Sequence, residues 1–181
     1  HRALCAALVT ITAALPFATQ AENKGPMLPS QMAGTEHVYV GVAWDEAAVR
    51  KALPPSINPV AGAPGAIVVY TVAKGSGIAP YTAAYFWVDI EGFDNPDGSK
   101  GRWMLAGAYG PNEAASRTVR EVSHFPVRNG TSRLEATPGG KRAIATVDGK
   151  DVVVTEIKSS SEPCTLAAGL LNYLVINPSK E

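Results

Sequence analysis

The chain has 181 residues, 46% of them hydrophobic, which is enough for one domain with a real core. Lysine plus arginine and aspartate plus glutamate each number 16, so no charge excess argues for nucleic acid or an anionic membrane as partner. With 17 glycines and 14 prolines, the composition suggests a globular domain rich in turns and short strands, not a disordered one.

Residues 1–21 look like a targeting segment. Arg2 is the only formally charged residue before Glu22, residues 3–18 are mostly apolar and small, and Thr19-Gln20-Ala21 offers a small-x-small cleavage site. A buried or membrane-anchoring helix is the alternative, but the apolar run is short for a span and contains Pro16. The expectation is a cleaved signal peptide, a periplasmic or secreted protein, and no membrane span after cleavage. Cleavage would remove Cys5 and leave Cys164, so no intrachain disulfide is expected.

Residues 22–35, small and polar with Pro26 and Pro29, read as a linker before a domain over 36–177. A first strand is expected over 38–42. Asp45 can then cap a short helix over 46–53 that Pro54-Pro55 stops. Strands follow over 65–73, 81–90 and 102–109, the last two joined by the turn-rich Asp94-Asn95-Pro96-Asp97-Gly98. Asn112 can cap a helix over 113–123. Short strands are expected over 133–137 and 142–147, and Asp148-Gly149 is a strong hairpin signal into a strand over 152–157. Residues 166–176 form a further apolar run.

Between the second helix and the later strands lies Arg120-Glu121-Val122-Ser123-His124-Phe125-Pro126-Val127-Arg128. Taken alone, Phe125-Pro126-Val127 could be a plain core-facing turn. The nonapeptide also resembles the active-site segment of the acetoacetate decarboxylases, which reads Arg-Glu, four mixed residues, Pro, then Lys-Lys. In that family the first lysine forms a Schiff base with the keto acid and the second stands beside it. Here the two places hold Val127 and Arg128. Schiff-base chemistry needs an amine that is neutral near pH 7, and acetoacetate decarboxylase is an example of such tuning. Valine has no amine, and an arginine keeps its proton and cannot attack a carbonyl.

The resemblance extends over roughly 36–177, about the first two-thirds of a typical member, so the domain is expected to be C-terminally short. Gly77-Ile78-Ala79-Pro80-Tyr81-Thr82-Ala83 is similar to the family's Gly-x-x-x-Tyr-Thr-Glu and places Ala83 where the family has an active-site glutamate. The early family arginine falls near Thr35 or Glu36.

What the resemblance implies is an α+β domain of mainly antiparallel strands, curled into a barrel or cone with two short helices around an apolar pocket. Arg128, Arg120, Val127, Phe125 and Ala83 are then the expected substrate-binding residues. His124 and Glu121 are the candidate acid or base; a lone structural histidine and a structural ion pair of Glu121 with Arg120 or Arg128 are the bland alternatives. The function expected is binding of a small organic (keto) acid or an apolar ligand without Schiff-base decarboxylation, with a lyase of altered chemistry as the other reading. No cofactor is implied, and a homo-oligomer is compatible with the reading.

No other chemistry stands out. The histidines lack metal-ligand spacing, Ser123 has no triad partner, and the glycines form no phosphate loop. The remaining lysines sit at turns, element ends or termini, where none has the apolar setting of a low-pKa amine.

Overall fold

The computed structural model describes residues 32–75, 80–121 and 123–158. The expected signal segment and the apolar run at 166–176 lie outside them. In chain order the elements are β1 (Met32–Ala43), α1 (Glu46–Ala52), β2 (Pro64–Gly75), β3 (Tyr81–Ile90), β4 (Gly101–Gly110), α2 (Glu113–Glu121), β5 (Val127–Asn129), β6 (Thr131–Thr137), β7 (Gly140–Val147) and β8 (Lys150–Lys158).

Local chemistry places the helix starts and the last hairpin. Asp45 accepts a 2.7 Å hydrogen bond from the Ala48 amide at the head of α1, and Asn112 accepts one of 3.0 Å from Ala114 at the head of α2. Helix α2 ends at Glu121, short of the expected residue 123, and His124 adopts a positive φ of 52° as the chain turns toward β5. Between β7 and β8, Asp148 and Gly149 both have positive φ (51° and 72°). A two-residue hairpin turn uses that backbone to match the twist of its strands.

The mainly antiparallel α+β reading holds, but the expected barrel is not closed among the described residues. One sheet runs β1-β2-β3-β4-β5 and a second runs β6-β7-β8. All pairs are antiparallel except β4–β5, which α2 bridges. The chain passes from one sheet to the other at the end of β5. That strand is three residues long, and at Gly130 the chain leaves the first sheet to begin the second. A Cβ on Gly130 would sit 2.6 Å from the Thr146 carbonyl oxygen, so the crossing passes close against β7. Strand β1 also starts earlier than expected, at Met32 opposite Gly75, within the stretch read as linker.

Three apolar clusters hold these layers together. Val49, Leu53 and Ile57 seat α1 and its following loop on Val88 and Ile90. Val38, Val69 and Ala84 of the first sheet pack on Ala143, Ala145 and Val153 of the second. The third cluster, on the opposite face of the first sheet, carries the candidate site.

Gly65 is required where β1, β2 and β3 converge. The Trp44 indole nitrogen donates 2.8 Å to the Trp87 carbonyl, and a Cβ on Gly65 would lie 2.4 Å from that nitrogen and 2.0 Å from that oxygen. Gly65→Ala is therefore expected to destabilise the fold by about 1–3 kcal/mol, as overpacking does. Denaturant unfolding of the two proteins measures this, and unchanged stability would show that the strands yield without cost.

Candidate functional site

Side chains alternate across a strand, so β2 and β3 send every second residue to the face that α2 covers, as β4 does on either side of the irregularity opposite Phe86 and Trp87. That face gathers Val68, Tyr70 and Val72 of β2 and Tyr81, Ala83 and Trp87 of β3. Met104 and Tyr109 of β4 join them, under Ala115 and Val119 of α2 and Val127 of β5. Antiparallel register sets Ala83 directly between Tyr70 and Tyr109. Tyr81 and Tyr85 flank it along its own strand. A fully buried alanine thus sits inside a ring of four tyrosines.

The rings of this cluster meet edge to face or stacked. Tyr70 and Tyr81 centroids are 5.9 Å apart at 80°, Tyr70 and Tyr109 6.4 Å at 85°, and Tyr81 and Tyr109 6.0 Å at 17°. The Tyr70 hydroxyl lies 3.4 Å from both the Tyr81 and the Tyr109 hydroxyls. These are long for hydroxyl pairs and so are readily exchanged for a better acceptor. Tyr70 donates to Tyr109, which leaves the Tyr109 proton unused by this contact. His37 stacks on the outer side of Tyr70, ring centroids 5.1 Å apart at 10°.

Burial decides the ionisation of the cluster. Loss of solvent, then the neighbouring phenols, pushes Tyr70 well above its ordinary pKa; burial raises Tyr109 and Tyr81 as well. Desolvation of the stacked His37 ring lowers its pKa and favours the neutral imidazole at pH 7. At the other end of the face, the Arg102 guanidinium lies 4.7 Å over the Trp87 ring and 3.7 Å from Asp89.

Of the residues that the sequence singled out, Ala83 and Val127 come together in this buried cluster, and Phe125 packs against it. Val127 rests over Gly107, where a Cβ would approach it to 2.8 Å. The others stand apart. Arg120 donates to the Asn129 side-chain oxygen at 3.0 Å, and the Ser116 hydroxyl donates to the same oxygen. Glu121 is exposed at the end of α2. His124 is exposed on a surface depression of about 390 Å³ that it shares with Pro54, Trp103, Leu105 and Phe125. Arg128 is 69% exposed and pairs with Asp148 at 2.5 Å instead of with Glu121.

Every described lysine is exposed except Lys141, which is partly buried and holds Glu36 at 3.0 Å. Among the described residues no three His, Cys, Asp or Glu side chains cluster to hold a metal, and no helix is long and apolar enough to cross a membrane. The tyrosine ring went unread in the sequence. The spacing of Tyr81 and Tyr85 around Ala83 was visible there, but Tyr70 and Tyr109 join them only through strand register.

No protein-family model matches the sequence, and no curated protein sequence matches it. Solved structures do. An acetoacetate decarboxylase from Legionella pneumophila aligns with a TM-score of 0.66 at 16% identity, over 85% of this chain and 59% of that one. The fold is that of the acetoacetate decarboxylases. A second acetoacetate decarboxylase structure aligns with a TM-score of 0.59 at 18% identity, over 68% of this chain and 48% of that one. The enduracididine biosynthesis enzyme MppR, complexed with pyruvate, aligns at 0.54 with 16% identity, over 68% of this chain and 55% of that one. The chain thus spans between about half and three-fifths of the length of these acetoacetate decarboxylase-like proteins.

In this acetoacetate decarboxylase-like fold the buried phenols make a pH prediction. Their folded pKa values lie above the unfolded value of 10.0, so the folded state holds its protons more tightly. The stability they contribute is complete below pH 10 and falls as pH rises above it. In an ultraviolet titration of the six tyrosines, Tyr70, Tyr81 and Tyr109 should ionise later than an exposed phenol, with the most buried of them ionising together with alkaline unfolding. Normal titration of all six in folded protein would contradict the burial.

Proposed function

We propose that this is an exported protein of acetoacetate decarboxylase-like fold that binds a small keto acid at the tyrosine ring, without Schiff-base decarboxylation. The observation that carries the reading is the setting of Ala83 and Val127. Both lie in one buried cluster, at the positions where the family resemblance expects the glutamate and the nucleophilic lysine. The machinery of imine formation is thus replaced by a methyl and an isopropyl group. What that leaves is a buried aromatic cluster with hydroxyl donors, whose chemistry suits holding a carbonyl oxygen rather than attacking its carbon.

A keto acid offers such an oxygen on a short carbon chain. The Tyr109 hydroxyl accepts from Tyr70 and can donate its own proton to that oxygen. Pyruvate bound to MppR, a protein of the same fold, supports the choice of ligand class. A hydrogen bond of this neutral kind contributes about 0.5–1.5 kcal/mol, or roughly two- to tenfold in affinity.

Calorimetric titration with pyruvate and acetoacetate should give saturable binding without turnover, two- to tenfold weaker in Tyr109→Phe. Borohydride added during exposure to either acid should trap nothing. A stable lysine adduct, measurable turnover, or no binding at all would each overturn the reading.

Export is the second part of the proposal, and the apolar run with its Thr19-Gln20-Ala21 boundary supports it. Protein recovered from the periplasm or medium should begin at Glu22 on N-terminal sequencing. An uncleaved chain in the cytoplasm would contradict it.

A further inference from the structure

Val127 and Arg128 are neighbours on β5, and strand alternation sends them to opposite faces of the five-stranded sheet. Val127 joins the tyrosine face, whereas Arg128 lines a slot of about 160 Å³ between the two sheets. Phe86 of β3, Ala106 and Ala108 of β4, and Ala145 and Val147 of β7 form much of its wall. Arg128 is the one charged residue on a lining otherwise made of alanine, glycine, valine and phenylalanine.

We propose that this slot binds a short, unbranched monocarboxylate, with its alkyl chain between the sheets and its carboxylate on Arg128. Such walls offer nothing to hydrogen-bond a polar atom, so a keto or hydroxyl group inside would be left unpaired. The guanidinium beside them is a planar fork of donors that fits a carboxylate bidentately. Its present partner, Asp148, is 71% exposed, and an exposed ion pair of this kind holds weakly. A ligand carboxylate can therefore take its place at little cost. At about 30 Å³ for a water-sized group, the slot has room for roughly five methylene-sized groups. Butyrate to hexanoate match that length. The site is separate from the keto-acid site of the tyrosine face, and the sheet itself lies between them.

Butyrate, pentanoate, hexanoate and octanoate titrated calorimetrically into the full chain test the proposal. Affinity should rise about fourfold per methylene up to hexanoate and gain nothing further at octanoate. Arg128→Gln should weaken hexanoate about two- to fivefold, the worth of an ion pair on an exposed guanidinium. Ala106→Leu, at a partly exposed wall position, should fill the slot and abolish binding. Asp148→Asn should act in the opposite direction and tighten binding, because it removes the competing carboxylate while Asn-Gly keeps the favoured hairpin turn. Pyruvate should not compete with hexanoate. Circular dichroism and melting curves establish that each variant is folded. The proposal fails if hexanoate does not saturate, if Arg128→Gln binds it as wild type does, if Asp148→Asn weakens it, or if pyruvate displaces it.

Discussion

A five-stranded sheet covered on both faces is the constraint on which this structure depends. On β2, Val68, Tyr70 and Val72 face α2 while Ile67 and Val69 face the second sheet, so the middle of the strand, Ala66 to Tyr70, is apolar on both sides. That middle has no polar side to give up, and a slip of one residue would exchange the lining of both faces. It would move Tyr70 away from Ala83 and bring Ile67 or Val69 into the tyrosine face. Register, side-chain burial and the composition of both faces are therefore aspects of one choice. Each buried Val, Ile or Phe side chain contributes about 1.5–3 kcal/mol toward holding it.

The same constraint separates two kinds of chemistry within a short distance along β3. Ala83 faces a ring of phenols, and its neighbour Ala84 faces the slot between the sheets. One side offers hydroxyl donors in an aromatic frame. The other offers alkyl walls with a single cation. Solvent reaches the two sides differently as well: burial keeps the phenols protonated, whereas Arg128 stays at the solvent edge with Asp148.

Features set by neighbouring residues could be read from the sequence. Asp45 and Asn112 cap their helices through their own side chains, Pro54-Pro55 halts α1, and Asp148-Gly149 makes the turn its backbone preferences favour. Features set by distant pairing could not. The start of β1 at Met32 is stabilised by Gly75 and Lys74 opposite, while Ala33 and Gly34 carry little strand propensity of their own. The three residues of β5 owe their strand to parallel pairing with β4. Among the described residues the strands form two sheets rather than the closed barrel expected from the resemblance, and Gly130 carries the chain from one to the other. For the site, the resemblance located Ala83 and Val127 in one place, but it treated 120–128 as a single lining. Alternation along β5 divides that segment between two faces.

The slot between the sheets also bears on how the protein responds to compression. Small side chains meet there from both sides, at Ala106, Ala108 and Ala145, and leave volume that no atom of the lining fills. Unfolding erases such internal space, so the unfolded chain with its water occupies less volume than the native state. Hydrostatic pressure therefore works against this fold through the place where its two sheets meet. Cold acts in the same direction, because apolar attraction between the sheets fades on cooling.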